Sequence, residues 1–385
     1  MNASDTALTR EELLPRLRQA LDLAASQAKR VLEQYPGYLP MYTVGGKWNH
    51  EGERWTHWCE GFFPGILWLL HRATGDEAWL APARALSRRL ETRQHDRTVH
   101  DLGFLFFSTY LREYHLTGES HLRDVLIQAG RTLALRRQQG GYLCSFLGPH
   151  SLFIDIMMNI GLVFWAARET GDEALLRVAT EHCRTTARYL VRPDGGTAHE
   201  GIFDVASGQF LRQSTQQGRS AESTWTRGLA WALYGFTTAH RLASGGSCGT
   251  PEEFLGVARR CADCYLRRAP AGLVPPWDFD LPDAVPHLWD SSAAAITASG
   301  LWDLSEAVPD ASEQQRYRTA ALTILDTLCS DEFLPLRRPE WEGILMHGVY
   351  HFHKGLGVDE SVAWGDHFFV EALVKAIAGK AEAGW

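Results

Sequence analysis

Nowhere in this sequence do about 18 apolar residues follow one another, so it offers no membrane-spanning helix. The opening segment, MNASDTALTREELLPRLRQALDLAASQAKRVLEQ, also has no uninterrupted apolar stretch of the kind a secretory signal needs. Its charges are spread throughout, and it reads as an amphipathic helix of a cytoplasmic protein. Basic residues are in deficit: the net charge is −8, which argues against nucleic acid, whose phosphates require a cationic surface. A few well-placed cations would still suffice for an anionic sugar. Paired cysteines are scarce. The seven stand at positions 59, 144, 183, 248, 261, 264 and 329, and only Cys261 and Cys264, in CADCYL, are close together. With no second pair to complete a zinc site they read as reduced packing thiols, redox chemistry being the alternative, and they call for no metal or cofactor. No Pro/Gly/Ser-rich linker and no break in composition divides the chain, so residues 1–385 are expected to form one domain. Period-two alternation is rare, and GGTAHEGIFD and GILMHGVYHF are the best candidate strands.

Helical periodicity dominates instead. LLPRLRQALDLAASQAKRVL, SHLRDVLIQAGRTLALRR and ALLRVATEHCRTTARYLV each space apolar residues three and four apart, with charges on the other faces. A loop recurs between helices: Thr74-Gly75-Asp76, Thr117-Gly118-Glu119 and Thr170-Gly171-Asp172. Glycine can end one helix in a left-handed cap, and an acidic residue favours the start of the next. The glycines are 43 and 53 residues apart, which fits one helical hairpin per repeat. Each loop follows an aromatic-rich helix and precedes a more polar one. Six or seven such units fill 385 residues. The pattern predicts an all-α fold, an (α/α)6 barrel or toroid of helical hairpins, with short β segments in its loops. An α-solenoid is the alternative, although its repeats are normally more alike. In a toroid the inner helices are apolar on nearly every side, and their N-terminal ends frame a central cleft.

Two aspartates stand out against such helices. TVHDLGFLFF places Asp101, and SLFIDIMMNIGLVFWAA places Asp155, in very apolar surroundings. A bare buried carboxylate is costly unless it is paired, hydrogen-bonded or protonated. Asp101 also reads as a helix N-cap, and Asp155 as a buried hydrogen-bonding group. Asn159 falls one turn beyond Asp155, on the same face. Polar and aromatic residues gather at Trp58 and Glu60, at His100 beside Asp101, and at Gln217, Trp225, Arg227 and Trp231. Arg227 could instead pair with Glu222. Trp225 and Trp231 would diverge by about 120° on one helix, so one or both could be core. The collection suggests a sugar site, because Trp faces stack on pyranose rings and a planar guanidinium suits a carboxylate. Two carboxyls at the floor of a cleft serve glycosidic bond cleavage, and an apolar surround lets one of them hold a proton near neutral pH.

At these residues the sequence resembles the unsaturated glucuronyl hydrolases, glycoside hydrolase family 88. The resemblance runs nearly end to end, through GFFPGILWLLHRATGDE, HDLGFLF, FIDIMMNI, STQQGRSAESTWTRGLAWALYGF, PPWDFD, WDSSAAAITASGL and WGDHFFVEAL, in that order. It implies the (α/α)6 barrel and a substrate that is a di- or oligosaccharide ending in a Δ4,5-unsaturated uronic acid, the product of a polysaccharide lyase. It also implies that the vinyl ether is hydrated and the anomeric carbon is not attacked. Asp155 would protonate C4 and draw a proton from water adding at C5, while Asp101 orients the ring hydroxyls. Gln217 and Arg227 match positions near the uronate, and His199 one near the reacting centre. Trp58, Trp225 and Trp231 match aromatic walls, and His100 joins the same substrate-binding set. A monomer or weak homodimer is expected.

The chain departs from the resemblance at Gln216, where some relatives carry His, and at Glu60, where some carry Asp. Members that prefer sulfated substrates carry a Ser-x-x-Ser-x-Lys pattern where this chain has His351, Lys354 and Leu356, although His351, His353 and Lys354 still make a basic spot. The rival readings are an unsaturated rhamnogalacturonyl hydrolase acting on pectin fragments and a sugar-binding toroid without activity. A third, an (α/α)6 epimerase, would need a histidine pair where Asp101 and Asp155 stand.

Overall fold

The computed structural model describes residues 9–48, 58–243, 251–282 and 288–380. Cys248 and the first eight residues of the expected N-terminal helix lie outside them. Among the described residues the helices are, in chain order, α1 (Arg10–Gln34), α2 (Phe62–Thr74), α3 (Leu80–Arg88), α4 (Leu102–Phe106) and α5 (Tyr110–Thr117). There follow α6 (Ser120–Ala134), α7 (Ile156–Asn159), α8 (Gly161–Thr170), α9 (Glu173–Tyr189) and α10 (Thr226–Ala243). The last are α11 (Pro251–Arg268), α12 (Ser291–Ala307), α13 (Ala311–Leu328) and α14 (Ala363–Ala378). None is long and apolar enough to cross a membrane.

The helices alternate between two concentric layers. The inner ring runs α2, α4 with α5, α7 with α8, α10, α12 and α14, each packed on the next, and α14 returns to α2 to close it. Outside, α3, α6, α9, α11 and α13 each cover the inner helix that precedes them, and α1 covers α14. This is the (α/α)6 barrel that the repeat pattern predicts. The first helix backs the last, and their ends are tied directly. Thr9 and Glu12 form a capping box that starts α1. Arg10 then donates to the carbonyls of Ala376 at 2.7 Å and Ile377 at 2.8 Å, at the open C-terminal end of α14.

Local chemistry explains the alternation. The inner helices are apolar all round: every residue of α10 from Thr226 to Ala239 is buried, whereas the outer α9 buries one face only. The three Thr-Gly-acid loops behave as their sequence predicts. Gly75, Gly118 and Gly171 take φ of 70°, 69° and 68° and close α2, α5 and α8. Asp76 and Asp172 accept backbone N–H groups of the following turn, but Glu119 makes no such bond. Two inner members are divided. α4 and α5 are separated by residues 107–109, whereas α7 and α8 are divided only by Ile160, whose backbone stays right-handed helical.

The strands sit in loops at one end of the ring. β1 (Ser151–Phe153), β2 (Glu200–Phe203) and β3 (Phe210–Ser214) form an antiparallel sheet, with Phe153 opposite Glu200. β4 (Gly348–His351) pairs with β5 (Leu356–Glu360), with a register shift between Gly348 and Val349. β2 and β4 fall inside the two candidate strands; the others are too short to show alternation. Cys261 and Cys264 lie buried and unbridged on α11, as do the other described thiols in their own places.

Deep in the ring lies an ionic network. Lys375 of α14 is fully buried, with its Nζ 2.8 Å from Asp303 and 3.5 Å from Glu371, and it donates to the Tyr234 hydroxyl at 2.6 Å. Glu371 accepts from Arg112, Tyr234 and Ser299 at 2.6, 2.8 and 2.6 Å. The network thereby ties α5, α10, α12 and α14 to one another, and in α10, α12 and α14 it lies about 12–18 Å below the N-terminal end, at 1.5 Å of rise per residue. Removing the cation leaves each buried carboxylate with a single arginine, Arg241 at Asp303 and Arg112 at Glu371. Lys375→Met is therefore expected to cost about 3 kcal/mol, the lower end for a broken buried pair, measured by denaturant unfolding. A loss below about 1 kcal/mol would show that the network does not lock the ring.

Candidate active site

The N-terminal end of each inner member of the ring carries a residue that lines one cleft or stands behind its wall. Trp58 precedes α2, Asp101 precedes α4, Asp155 precedes α7, Arg227 opens α10, Asp290 precedes α12 and Trp364 opens α14. The cleft, counted together with its open mouth, spans about 390 Å³ and is lined by Trp58, His100, Asp101, Phe146, Phe153, Asp155, Gln217, Arg227 and Tyr350. Helix N-termini carry partial positive charge, so this end of the ring favours anions.

Asp101 occupies the N-cap position of α4, but its side chain makes no capping bond. It faces the cleft chemistry instead. His100 accepts the Phe146 N–H on Nδ1 at 3.1 Å, which leaves the ring proton on Nε2, 3.3 Å from Asp101 Oδ1. Burial drives the His100 pKa down to about 3, so the imidazole is neutral. For Asp101, burial and then the Asp155 charge push the carboxyl up to about 8. Asp101 thus holds a proton at neutral pH.

Asp155 behaves oppositely. Burial alone would raise its pKa, but His199 and the Arg227 charge outweigh burial and hold it below the ordinary carboxylate value. His199 accepts the N–H groups of Gln216 and Gln217 on Nδ1, at 3.0 and 3.2 Å, so its proton points from Nε2 toward Asp155 Oδ2, 3.5 Å away. Two carboxyls therefore share one cleft and one proton. The proton rests on Asp101, whereas the sequence reading gives Asp155 the role of donor.

A close backbone approach brings the two together. Asn159 accepts the Phe104 N–H at 2.9 Å and donates to the Asp155 carbonyl at 3.1 Å, tying α4 to α7. Asn159 is thus a strap and does not line the cleft. A Cβ on Gly103 would lie 2.5 Å from the Asn159 Cα, which is why HDLGF carries glycine there.

Arg227 is fully buried, and its fork is engaged. Nη1 lies 3.2 Å from Asp290 and also donates to the Val349 carbonyl, while Nη2 donates to Gln217 at 2.5 Å and to the Tyr350 carbonyl at 2.8 Å. It pairs with Asp290, where the sequence suggested Glu222 or a substrate carboxylate. Its charge still lies within reach of Asp155. Trp225 does not line the cleft but lies beneath it, with the guanidinium 4.4 Å over its ring and His199 4.6 Å away. Trp231 is core, wedged between Phe104 and Phe368 at 5.1 and 5.4 Å, and does not line the cleft as the sugar wall that the sequence reading expects. Its position six residues past Trp225 turns it into the ring interior. Trp58 does line the cleft and leans on Trp364 at 4.6 Å.

Outside the cleft, Glu60 pairs with Arg93 at 3.0 Å, Gln216 donates to Glu200 at 3.0 Å, and His353 donates to the Gly218 carbonyl at 2.8 Å. His351 is buried, and Lys354 is exposed. Phe146, Phe153 and Tyr350 escaped the sequence reading, because each sits in a short loop or strand without periodicity. Asp290 and Trp364 did stand in the WDSS and WGDH motifs, though with no role attached. Among the described residues no group of three or more His, Cys, Asp or Glu side chains is arranged to hold a metal ion.

The Glycosyl Hydrolase Family 88 model matches residues 30–243. The unsaturated glucuronyl hydrolase of Bacillus sp. strain GL1 is 32% identical over 377 residues, covering 94% of this chain and 97% of its own. The unsaturated chondroitin disaccharide hydrolase of Streptococcus pyogenes serotype M1 is 32% identical over 95% of this chain and 93% of its own. Among solved structures, unsaturated glucuronyl hydrolase from Streptococcus agalactiae superposes with a TM-score of 0.88 at 28% identity, over 99% of this chain and 95% of that one.

A neutral Asp101 has a thermodynamic consequence. Its folded pKa of about 8 lies above the unfolded carboxyl value of 3.8, so stability is full below pH 4 and falls as pH rises toward 8. Asp101→Asn removes that fall. The variant is expected to melt above the wild type at pH 9, with the difference closing toward pH 4. Parallel melting curves across this range would show that Asp101 is ionised when folded.

Proposed function

The chain belongs to Glycosyl Hydrolase Family 88 and is a glycoside hydrolase, and on that footing we propose that it removes a Δ4,5-unsaturated uronic acid from the non-reducing end of polysaccharide-lyase products. The observation that carries the reading is the pair of carboxyls in one cleft, one neutral and one ionised, beside a buried cation. The names of the relatives, hydrolases of unsaturated glucuronyl and chondroitin saccharides, support glycosaminoglycan fragments as the substrate class.

The chemistry follows from charge. The substrate is an enol ether, so protonation at C4 leaves an oxocarbenium ion at C5 stabilised by the ring oxygen. Water adds at C5 and gives up its proton to the carboxylate that supplied the first. The resulting hemiketal opens to a ketone, and the hemiacetal at C1 then releases the shortened saccharide. One carboxyl suffices as acid and then base, and Asp155 is that group in our reading. Its protein neighbours hold it ionised, and the incoming uronate changes this. A second negative charge near Arg227 and the helix N-termini offsets what holds Asp155 ionised, and its proton affinity rises. Asp101, already protonated, offers a hydroxyl hydrogen to the sugar and a proton source for Asp155. Trp58 and Tyr350 form the ring-stacking wall, and Gln217, with its oxygen committed to Arg227, has its amide N–H groups for the uronate. We further read the chain as one domain that acts in the cytoplasm as a monomer or weak homodimer.

Asp155→Asn is expected to lose at least about a hundredfold in turnover, within the range of a general acid/base, with circular dichroism unchanged. The assay follows the disappearance of the conjugated double bond's ultraviolet absorbance on unsaturated chondroitin and unsaturated rhamnogalacturonan disaccharides. Turnover at the wild-type rate in the variant would remove Asp155 from the reaction, and activity on the rhamnogalacturonan substrate alone would move the enzyme to pectin fragments.

A further inference from the structure

Asp290 stands outside the cleft lining, yet several parts of the site converge on it. It is fully buried at the N-terminus of α12. Oδ1 accepts the N–H groups of Ser292 and Ala293 at 3.1 and 3.4 Å and the Ser292 hydroxyl at 2.5 Å. The same oxygen lies 3.4 Å from the Val349 N–H of β4, and Oδ2 lies 3.2 Å from Arg227 Nη1. Three structural parts therefore meet on one carboxylate: the start of α12, the edge of the β4–β5 hairpin and the only cation lining the cleft among the described residues.

The geometry of the hairpin is adapted to this meeting. Its register shift falls between Gly348 and Val349, and Val349 presents its N–H to Asp290 and its carbonyl to Arg227. The next carbonyl, that of Tyr350, also receives Arg227, and the Tyr350 side chain enters the cleft. Ser292 continues the chain of contacts outward, since its hydroxyl accepts the Trp364 indole N–H at 3.1 Å and Trp364 supports Trp58. Capping α12 alone would not require a carboxylate, because Ser or Asn caps as well. A charge is needed here to hold a buried guanidinium.

We propose that Asp290 is a positioning residue for the hydrolysis, acting through Arg227: it fixes the guanidinium and neutralises part of its charge, and so sets how strongly Arg227 opposes protonation of Asp155. The inference rests on the reading of Asp155 as the proton-transferring group. The charged and titratable groups facing Asp155 are His199, His100, Asp101 and Arg227, and those facing Arg227 are Asp290, Asp155, Tyr350 and His351. Of these, Asp290 alone is an anion that lies behind Arg227 and outside the cleft. Without it the guanidinium is uncompensated and draws on the one remaining ionised carboxylate, Asp155. Protonated Asp155 then becomes rarer in the substrate complex, and turnover falls at neutral pH.

The experiment compares pH profiles of kcat, which report groups in the substrate complex, for wild type, Asp155→Asn, Asp290→Asn, Asp290→Ser, Arg227→Met and Arg227→Met with Asp290→Asn. Both Asp290 replacements keep an N-cap, so α12 remains closed. The alkaline limb of kcat is expected to move down by about one pH unit in each, with about a tenfold loss of kcat on that limb. It moves up in Arg227→Met, and adding Asp290→Asn to that variant moves it no further. A loss of kcat at every pH with the limb in place would mean that Asp290 is only a cap, and the inference falls. So would equal, additive shifts in the two backgrounds. Should both Asp290 variants fail to fold, the Arg227→Met profile decides alone, because an unmoved limb there leaves Asp290 nothing to act through. The reading of the site fails separately, by Asp155→Asn turning over like the wild type.

Discussion

Two carboxyls that cannot both be ionised in one buried cleft are the constraint around which this barrel is arranged. Like charges in low dielectric repel strongly, so the pair keeps one proton between them. Which side keeps it is decided by neighbours. Asp101 faces a neutral His100, whereas Asp155 faces the N–H of His199 and the charge of Arg227. The pair exists only because α4 and α7 touch, and that contact needs both the Asn159 strap and the bare Cα of Gly103. The "HDLGF" and "DIMMN" motifs are thus one device, in which each contributes an aspartate and half of the fit that sets their spacing.

The ring carries charge at two depths for different ends. At the mouth, inner-helix N-termini and Arg227 give a field that favours anions. About three turns down, Lys375, Asp303, Glu371 and Arg112 satisfy one another with Tyr234 and Ser299. Burial pushes the Asp303 carboxyl up, and Lys375 and Arg241 oppose that; Glu371 is drawn down to about 2 by Lys375 and Arg112 against burial. A network satisfied from four helices holds them in register, so that their ends meet in one cleft. The mouth, by contrast, leaves its charges incompletely matched, as a binding site must.

The architecture was legible because its signals are local and repeat. Three left-handed glycine caps, amphipathic outer helices and all-apolar inner helices each follow from near neighbours in the chain, and six hairpins in a row leave few ways to bury their faces. The two aspartates were legible for the same reason, since a carboxyl in an apolar run conflicts with its surroundings. What was not legible depends on long-range geometry. Trp231 resembles Trp225 in sequence, yet one faces the ring interior and the other lies under Arg227. Arg227 meets Asp290 and a hairpin more than a hundred residues away, which no spacing rule reveals. The resting place of the proton is subtler still, because apolar neighbours surround both aspartates and only the hydrogen-bonding partners differ.

An occupied guanidinium fork changes how a uronate is recognised. A free arginine would grip the carboxylate in the plane of two N–H bonds and would hold it equally well before and after reaction. Arg227 is held instead by Asp290, Gln217 and two carbonyls of β4, so its influence on the cleft is mainly a field. A field acts on every charge in the cleft, including Asp155, and a bound substrate anion adds an opposing field of its own. In the proposed reaction, the uronate that Arg227 attracts therefore offsets the pull of that cation on Asp155. The backbone that holds it there is itself under constraint: His347 and Asp359, at either side of the β4–β5 hairpin, both take left-handed φ, 66° and 62°, and face each other at 2.5 Å. Non-glycine residues adopt that conformation at a cost, which a close ion pair can offset. The strain buys a hairpin edge that turns both Val349 polar groups inward, onto Asp290 and Arg227.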